Sequence, residues 1–162
     1  MILQQFNVMA AYNRQLNEQF YAACAQLDEA NLRQDRGAFF KSIFGTLNHL
    51  LLVDRLWLGG FTGQPVSFAS LGQELYNNFE ELCTEREHTD ADIQDWVETL
   101  TMDRLKAPFN ENLRFPLWFT VTHFFNHQIH HRGQLSALLS QCGADYGTTD
   151  LPWVDGITVP SQ

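Results

Sequence analysis

The chain has 162 residues, 44% of them hydrophobic and 13 of them phenylalanine, enough to bury one sizeable core and too few for two full domains; residues 1–162 are expected to form a single domain. Its 19 acidic and 10 basic residues give a net charge of -9, which repels a phosphate backbone and leaves no Lys/Arg run to release counterions, so nucleic acid and anionic membrane surfaces are excluded as direct partners. No apolar stretch has the length of a membrane span and the amino terminus shows no basic and apolar leader pattern, so a cytoplasmic protein is expected.

Helical periodicity begins at once. Ile2, Phe6, Met9, Leu16, Phe20, Ala23 and Leu27 recur at threes and fours, with a gap at Asn13, and predict a first helix. After the polar Asp35-Arg36-Gly37 the stripe resumes at Phe40, Ile43, Phe44, Leu47, Leu51 and Leu58. It is expected to end at Gly59-Gly60, giving a second helix with His49 near its middle. The connection from Phe61 to about Leu71, with Gly63 and Pro65, is too long for a tight turn and should cross one end of a bundle.

Leu75, Phe79, Leu82, Ile93, Val97 and Leu100 continue the pattern as one long third helix, with Thr89 and Asp92 offering a capping alternative that would break it near residue 89. Between Arg104 and Phe115 the apolar residues alternate around Asn110-Glu111-Asn112, which fits a short hairpin or irregular loop. Pro116 then opens a last helix and Gly143 lies just beyond its end. The tail, with Gly147, Thr148, Thr149, Pro152 and Gly156, should lie extended on the surface, anchored by Leu151, Trp153 and Val154. The sum is an all-α fold: a four-helix bundle with long crossover connections and a short hairpin or loop before the last helix.

Four of the six histidines fall in the run His123-Phe124-Phe125-Asn126-His127-Gln128-Ile129-His130-His131-Arg132-Gly133-Gln134. On a helix, His127 and His131 stand i,i+4 and about 40° apart, on one face, where they can share one ion. His49, between Asn48 and Leu50 in the most apolar helix, reads alone as a buried neutral imidazole; beside an imidazole pair that lacks a third ligand, it completes a facial set with positions left open. Three neutral imidazoles leave the ion its double positive charge, so a water or thiol sharing it becomes far more acidic. Zinc suits the set best, and nickel, iron and manganese also accept imidazole.

The surrounding residues divide between pocket and scaffold. His123 and Gln134 are candidates for the pocket, Gln134 at about 20° from His127 on the wheel. His130 is expected at the rim, and Asn48 and Asn126 in structural hydrogen bonds. Arg132 is expected in a surface ion pair or dimer contact, Asp54 as a solvated carboxylate, and Gly133 where a neighbouring helix comes close. Trp57, Trp96, Trp118 and Trp153 read as core or interface aromatics, and Glu80, Glu81, Glu85 and Glu87 as a solvated face. Cys24, Cys83 and Cys142 form no CxxC pair and read as small buried hydrophobes.

The histidine run together with His49 resembles the signature of the DinB/YfiT-like family of metal-dependent enzymes, and Pro152-Trp153-Val154-Asp155-Gly156 is similar to endings among them. The resemblance implies a four-helix bundle, homodimeric in many members, with a divalent metal held by His49, His127 and His131. It also implies a thiol-dependent transferase or a hydrolase acting on a small molecule, with a low-molecular-weight thiol as a further cofactor. The alternative is a non-catalytic bundle whose ion is structural or senses metal or stress.

Overall fold

Six α-helices follow in chain order in the computed structural model, which describes residues 1–154 and Ile157: α1 (Ile2–Cys24), α2 (Glu29–Arg33), α3 (Ile43–Thr62), α4 (Phe79–Glu98), α5 (Met102–Lys106) and α6 (Leu117–Gln141). A short 3-10 turn, Leu151–Trp153, follows, and no strand occurs among the described residues. The fold is all-α, as the periodicity predicts. Asp155 and Gly156 of the expected tail motif lie outside the described residues.

The helix starts obey capping chemistry. Ser42, Asn78 and Thr101 each turn a side-chain oxygen onto the backbone N–H three residues on, satisfying a donor that the first turn leaves free. Ser42 places Phe40 outside α3, in a turn closed by a bridge between Ala38 and Lys41, rather than on the helical stripe. The far end of α3 also differs from expectation. Gly59 and Gly60 are helical, and Gly63, at φ 74°, supplies the left-handed cap. Gly60 instead makes room: a Cβ there would lie 2.9 Å from Cζ of Phe109. The third helix is unbroken at Thr89, and the polar stretch before α3 hides the short α2, capped by Asp28.

α1 packs against α4 and α6, and α3 packs against the same two, so four long helices close a ring. Side-chain pairs give their directions. Phe6 stacks on Phe125 near the start of α6, and Arg132 reaches Asn13 and Asn17, so α1 and α6 run the same way. Asp54 pairs with Arg86 and Phe61 stacks on Trp96, so α3 and α4 also run the same way. Two consecutive parallel helices require a connection that returns the length of the bundle. Residues 64–78 do so: Asn77 ends beside Arg33, which lies over the Phe44 ring at the start of α3. The segment runs back along α3 rather than across one end, and this correction brings Leu71 to His49.

The interior has two apolar parts. One gathers Leu16, Phe20, Leu47, Leu51 and Leu139; the other gathers Phe6, Phe61, Ile93, Val121 and Phe124. Between them lies a polar layer. Arg86 donates to Asp54 at 2.5 Å and to Asp90 at 2.8 Å, Asp90 accepts from Asn13 and Asn17, and Arg132 donates to the Oδ1 atoms of both asparagines. Asp54, expected in solvent, is fully buried, and Arg132, expected at the surface, is 3% exposed. Two guanidinium groups and two carboxylates sum to zero, which is what permits their burial.

The hairpin expected from Arg104 to Phe115 forms only over its later part, where Phe109 N–H donates to the Phe115 carbonyl and Asn110 N–H to that of Leu113; Arg104 to Lys106 are helical instead, in α5, because Thr101 caps a short helix there. Pro116 is the residue just before α6, and Gly143 adopts φ 70° beyond its end. In the tail Val154 is buried, Leu151 is half-buried, and Trp153 is exposed rather than an anchor. No helix among the described residues is long and apolar enough to cross a membrane.

Candidate metal centre

α3 and α6 face each other at mid-length, and there His49 meets His127 and His131. One ring nitrogen from each lies within 4.8 Å of the others. Ring centroids are 4.4 Å apart for His127 and His131, 4.6 Å for His49 and His131, and 5.3 Å for His49 and His127. The pairing within α6 follows from the i,i+4 spacing; His49 arrives because α3 is buried on all sides from Thr46 to Asp54, and His49 shares its face with Val53, Leu56 and Gly60, opposite Leu47 and Leu51.

The hydrogen bonds around the rings orient their lone pairs. Nδ1 of His49 donates to the Leu71 carbonyl at 2.8 Å, and Nδ1 of His131 donates to Oε1 of Gln134 at 2.9 Å. In each neutral ring the proton is thus on Nδ1 and the lone pair on Nε2. The two Nε2 atoms face each other at 3.2 Å. Two imidazole nitrogens on a tetrahedral ion, each at 2.0–2.1 Å, stand about 3.3 Å apart. His127 adds a buried Nδ1 with no partner among the described residues. Two convergent lone pairs with a nitrogen of a third ring within 4.8 Å fit a divalent cation, and the outer hydrogen bonds are of the kind that fix a ligating tautomer.

Electrostatics agree. Burial pushes the His49 pKa down to about 4, against the Leu71 carbonyl. Burial first, then the neighbouring imidazoles, pushes His127 down to about 3, and burial lowers His131 as well. The neutral form that binds metal is the one this environment prefers at neutral pH.

Phe40 closes one side of the cluster, its ring stacked on His49 with centroids 3.7 Å apart. Gly45 permits that turn, since a Cβ there would run into the Phe40 carbonyl. On the other side a cavity of about 490 Å³ reaches His49 and His127 and is lined also by Trp57, Phe68, Leu71, Phe109 and His123. His123 stands where a pocket residue should, edge-on to Trp57 at 5.3 Å and 6.3 Å from His127. Gln134 does not line the cavity; its amide spans His131 and His130, with Nε2 donating to Nε2 of His130 at 3.2 Å. His130 is exposed, as a rim residue.

Asn48 makes the structural bonds expected of it, its Oδ1 accepting from the N–H groups of Leu75 and Tyr76 and so tying the returning segment to α3. Asn126 is exposed instead. A Cβ at Gly133 would meet nothing within 4 Å, so no helix among the described residues comes close to it. Glu85 departs from a solvated face by pairing with Arg55 and Tyr76. Of the cysteines, Cys24 is buried and Cys83 and Cys142 half-buried. The residues that sequence reasoning missed are Phe40, for which Ser42 as a helix cap was the available signal, and Leu71, whose contribution is a backbone carbonyl that no side-chain pattern marks.

An all-α bundle with three histidines gathered from α3 and α6 defines the class. The chain belongs to the DinB family, whose sequence profile matches residues 2–160. It is 28% identical over 160 residues to Protein DinB of Bacillus subtilis (strain 168), covering 86% of this chain and 87% of that protein. It is also 26% identical over 129 residues to the uncharacterized protein YizA of the same organism, covering 77% and 80%.

Proposed function

We propose that the protein is a metal-dependent enzyme in which His49, His127 and His131 hold one divalent ion, with the reaction of a thiol-dependent transferase or a hydrolase on a small molecule. The observation that carries this reading is the 3.2 Å approach of two Nε2 lone pairs whose Nδ1 protons are committed elsewhere. An ion held by three neutral imidazoles supplies acidification of a thiol or water that shares it. Zinc is the first choice, and nickel, iron and manganese accept the same donors. Leu71 and Gln134 fix the ring orientations, Phe40 shields one side from water, and His123 stands at the cavity rim, placed to take or return a proton.

The second reading, a non-catalytic bundle with a structural or sensing ion, calls for a closed site. Among the described residues no fourth His, Cys or carboxylate joins the cluster, and the cavity reaches two of its rings, which favours the enzyme. Three free cysteines and no disulfide among the described residues suit the cytoplasm. Metal analysis of the purified chain, with His127→Ala and His131→Ala beside it, tests the proposal. One ion per chain is expected in the wild type and none in either variant; full occupancy in both variants contradicts it.

A further inference from the structure

The cavity beside the histidines bears on what the site acts upon. Its walls are aliphatic and aromatic, and its polar residues are His49, His123, His127 and Asn110, whose Oδ1 is taken by the N–H groups of Asn112 and Leu113 and which therefore offers its amide Nδ2. Among the described residues no Asp, Glu, Lys or Arg lines it. This is unusual for a chain with 29 ionisable acidic and basic side chains, counted as 19 acidic and 10 basic. The nearby charges are engaged elsewhere. Arg55 of α3 donates to Glu85, to the Tyr76 hydroxyl at 2.8 Å and to Thr89 at 3.1 Å; Arg104 donates to the carbonyls of Pro108 and Phe109. Asp54 is closed off by Arg86.

A charged group on the part of a substrate that lies beyond the histidines would therefore meet no Asp, Glu, Lys or Arg side chain, the charge of the proposed ion being met by the reacting end; neutral hydrogen bonds do not offset the loss of water there. A ring meets the opposite situation. Trp57 lies 5.8 Å from Phe109 in a tilted pair and 5.3 Å from His123 edge-on, and the bare Gly60 lets the Phe109 ring close against α3. Aromatic walls set at such angles favour a flat apolar body, and about 490 Å³ lies in the range of small-molecule sites.

We propose that the substrate of this site is an uncharged, ring-bearing small molecule whose body lies in the cavity against Trp57 and Phe109, with His123 and Asn110 as its polar contacts. The proposal rests on the metal reading for the reacting end of the molecule and on the cavity alone for its body, so the two are tested separately.

For the reacting end, the full chain is loaded with Co(II) and its visible absorption is titrated with 4-methylphenylmethanethiol and with 4-(mercaptomethyl)benzoate, whose charge is too far from the sulfur to chelate the ion. For the body, metal-free protein is titrated with 4-methylbenzyl alcohol and 4-(hydroxymethyl)benzoate by saturation-transfer NMR. The neutral member of each pair is expected to bind at least about tenfold more tightly, because both members carry the ring and only the carboxylate gives up water without a counter-charge. Trp57→Ala should weaken both members of each pair, since it removes the wall against which their common ring lies, while Co(II) uptake stays at one ion per chain. Phe68→Arg, at a loop position 47% exposed and so tolerant of the change, should turn the preference toward the carboxylates. Carboxylates that bind the wild type as well as their neutral partners overturn the substrate assignment, whatever the metal result. Failure to take up Co(II) while the neutral alcohol still binds overturns the metal reading instead and keeps the neutral-ligand cavity.

Discussion

Nε2 of His49 and Nε2 of His131 point at each other across 3.2 Å with no proton to share, because the Leu71 carbonyl and the Gln134 amide oxygen hold both rings' protons on Nδ1. Two facing lone pairs repel. Protonating one ring would relieve the repulsion, but burial opposes the charge, so a cation between them is the arrangement that satisfies both.

Gln134 therefore acts on the site through His131. Gln134→Leu should weaken divalent-metal affinity by about 10- to 100-fold, the usual loss when a ligating histidine loses its outer hydrogen bond. Competition against a chromophoric chelator reads the change. Gln134→Glu, which keeps an acceptor for the Nδ1–H, should restore most of the affinity; a leucine variant with wild-type affinity would show that the amide orients nothing.

The depressed histidines also make the metal-free fold sensitive to acid. A base with a lower pKa folded than unfolded binds more protons in the unfolded chain, so stability rises with pH between the two values. His49 and His127 move from 6.5 to about 4 and about 3, and His131 moves the same way. The stability their neutral forms contribute is thus fully present above about 6.5 and is lost as pH falls from there toward 4. Thermal unfolding of the metal-free protein at pH 7.5 and pH 5 should differ by several degrees, and by less in His127→Ala. The gap between the wild type and His127→Ala carries the reading, because Asp54, raised by burial to about 6, shifts stability with pH in the opposite sense; an equal pH response in the two proteins would mean that these rings are not held neutral.

The polar layer offers a separate test. Removing the carboxylate in Asp54→Ala leaves Arg86 with Asp90 alone and adds an uncompensated buried cation, which should cost about 3–5 kcal/mol by urea unfolding. Asp54→Asn keeps the shape and a hydrogen-bond acceptor and should cost less. A loss under 1 kcal/mol in the alanine variant would mean that water reaches Arg86.

Much of this organisation was legible in the residues themselves. The i,i+4 pair in α6 and the apolar surroundings of His49 pointed to the histidine cluster, and Pro116 and Gly143 marked α6 to within a residue. The polar layer was not legible, for a physical reason: Asn13 read as a gap in an apolar stripe, Asp54 as a solvated carboxylate and Arg132 as a surface ion pair or dimer contact, and only tertiary pairing across α1, α3, α4 and α6 makes them interior groups. The same holds for Leu71, since the path of the 64–78 connection follows from helix directions that periodicity does not encode.

α6 points to self-association. It contains no Asp, Glu or Lys, its one arginine is buried, and Trp118, Phe119 and Ile129 are exposed on it. For a chain of charge -9, a helix whose exposed residues include these aromatics and no acidic side chain is where two copies would meet with the least repulsion. Light scattering at micromolar concentration should give the mass of a homodimer, reduced to a monomer by Phe119→Glu. A monomeric wild type contradicts this assignment.

X-ray absorption at the zinc edge, on the zinc-loaded chain and on His49→Ala, tests the three-histidine centre most directly. The wild type should bind one ion with three imidazoles at 2.0–2.1 Å, and His49→Ala should retain a weakly held ion with two. An identical imidazole count in the two proteins, or no stoichiometric zinc in the wild type, would contradict a centre shared by α3 and α6.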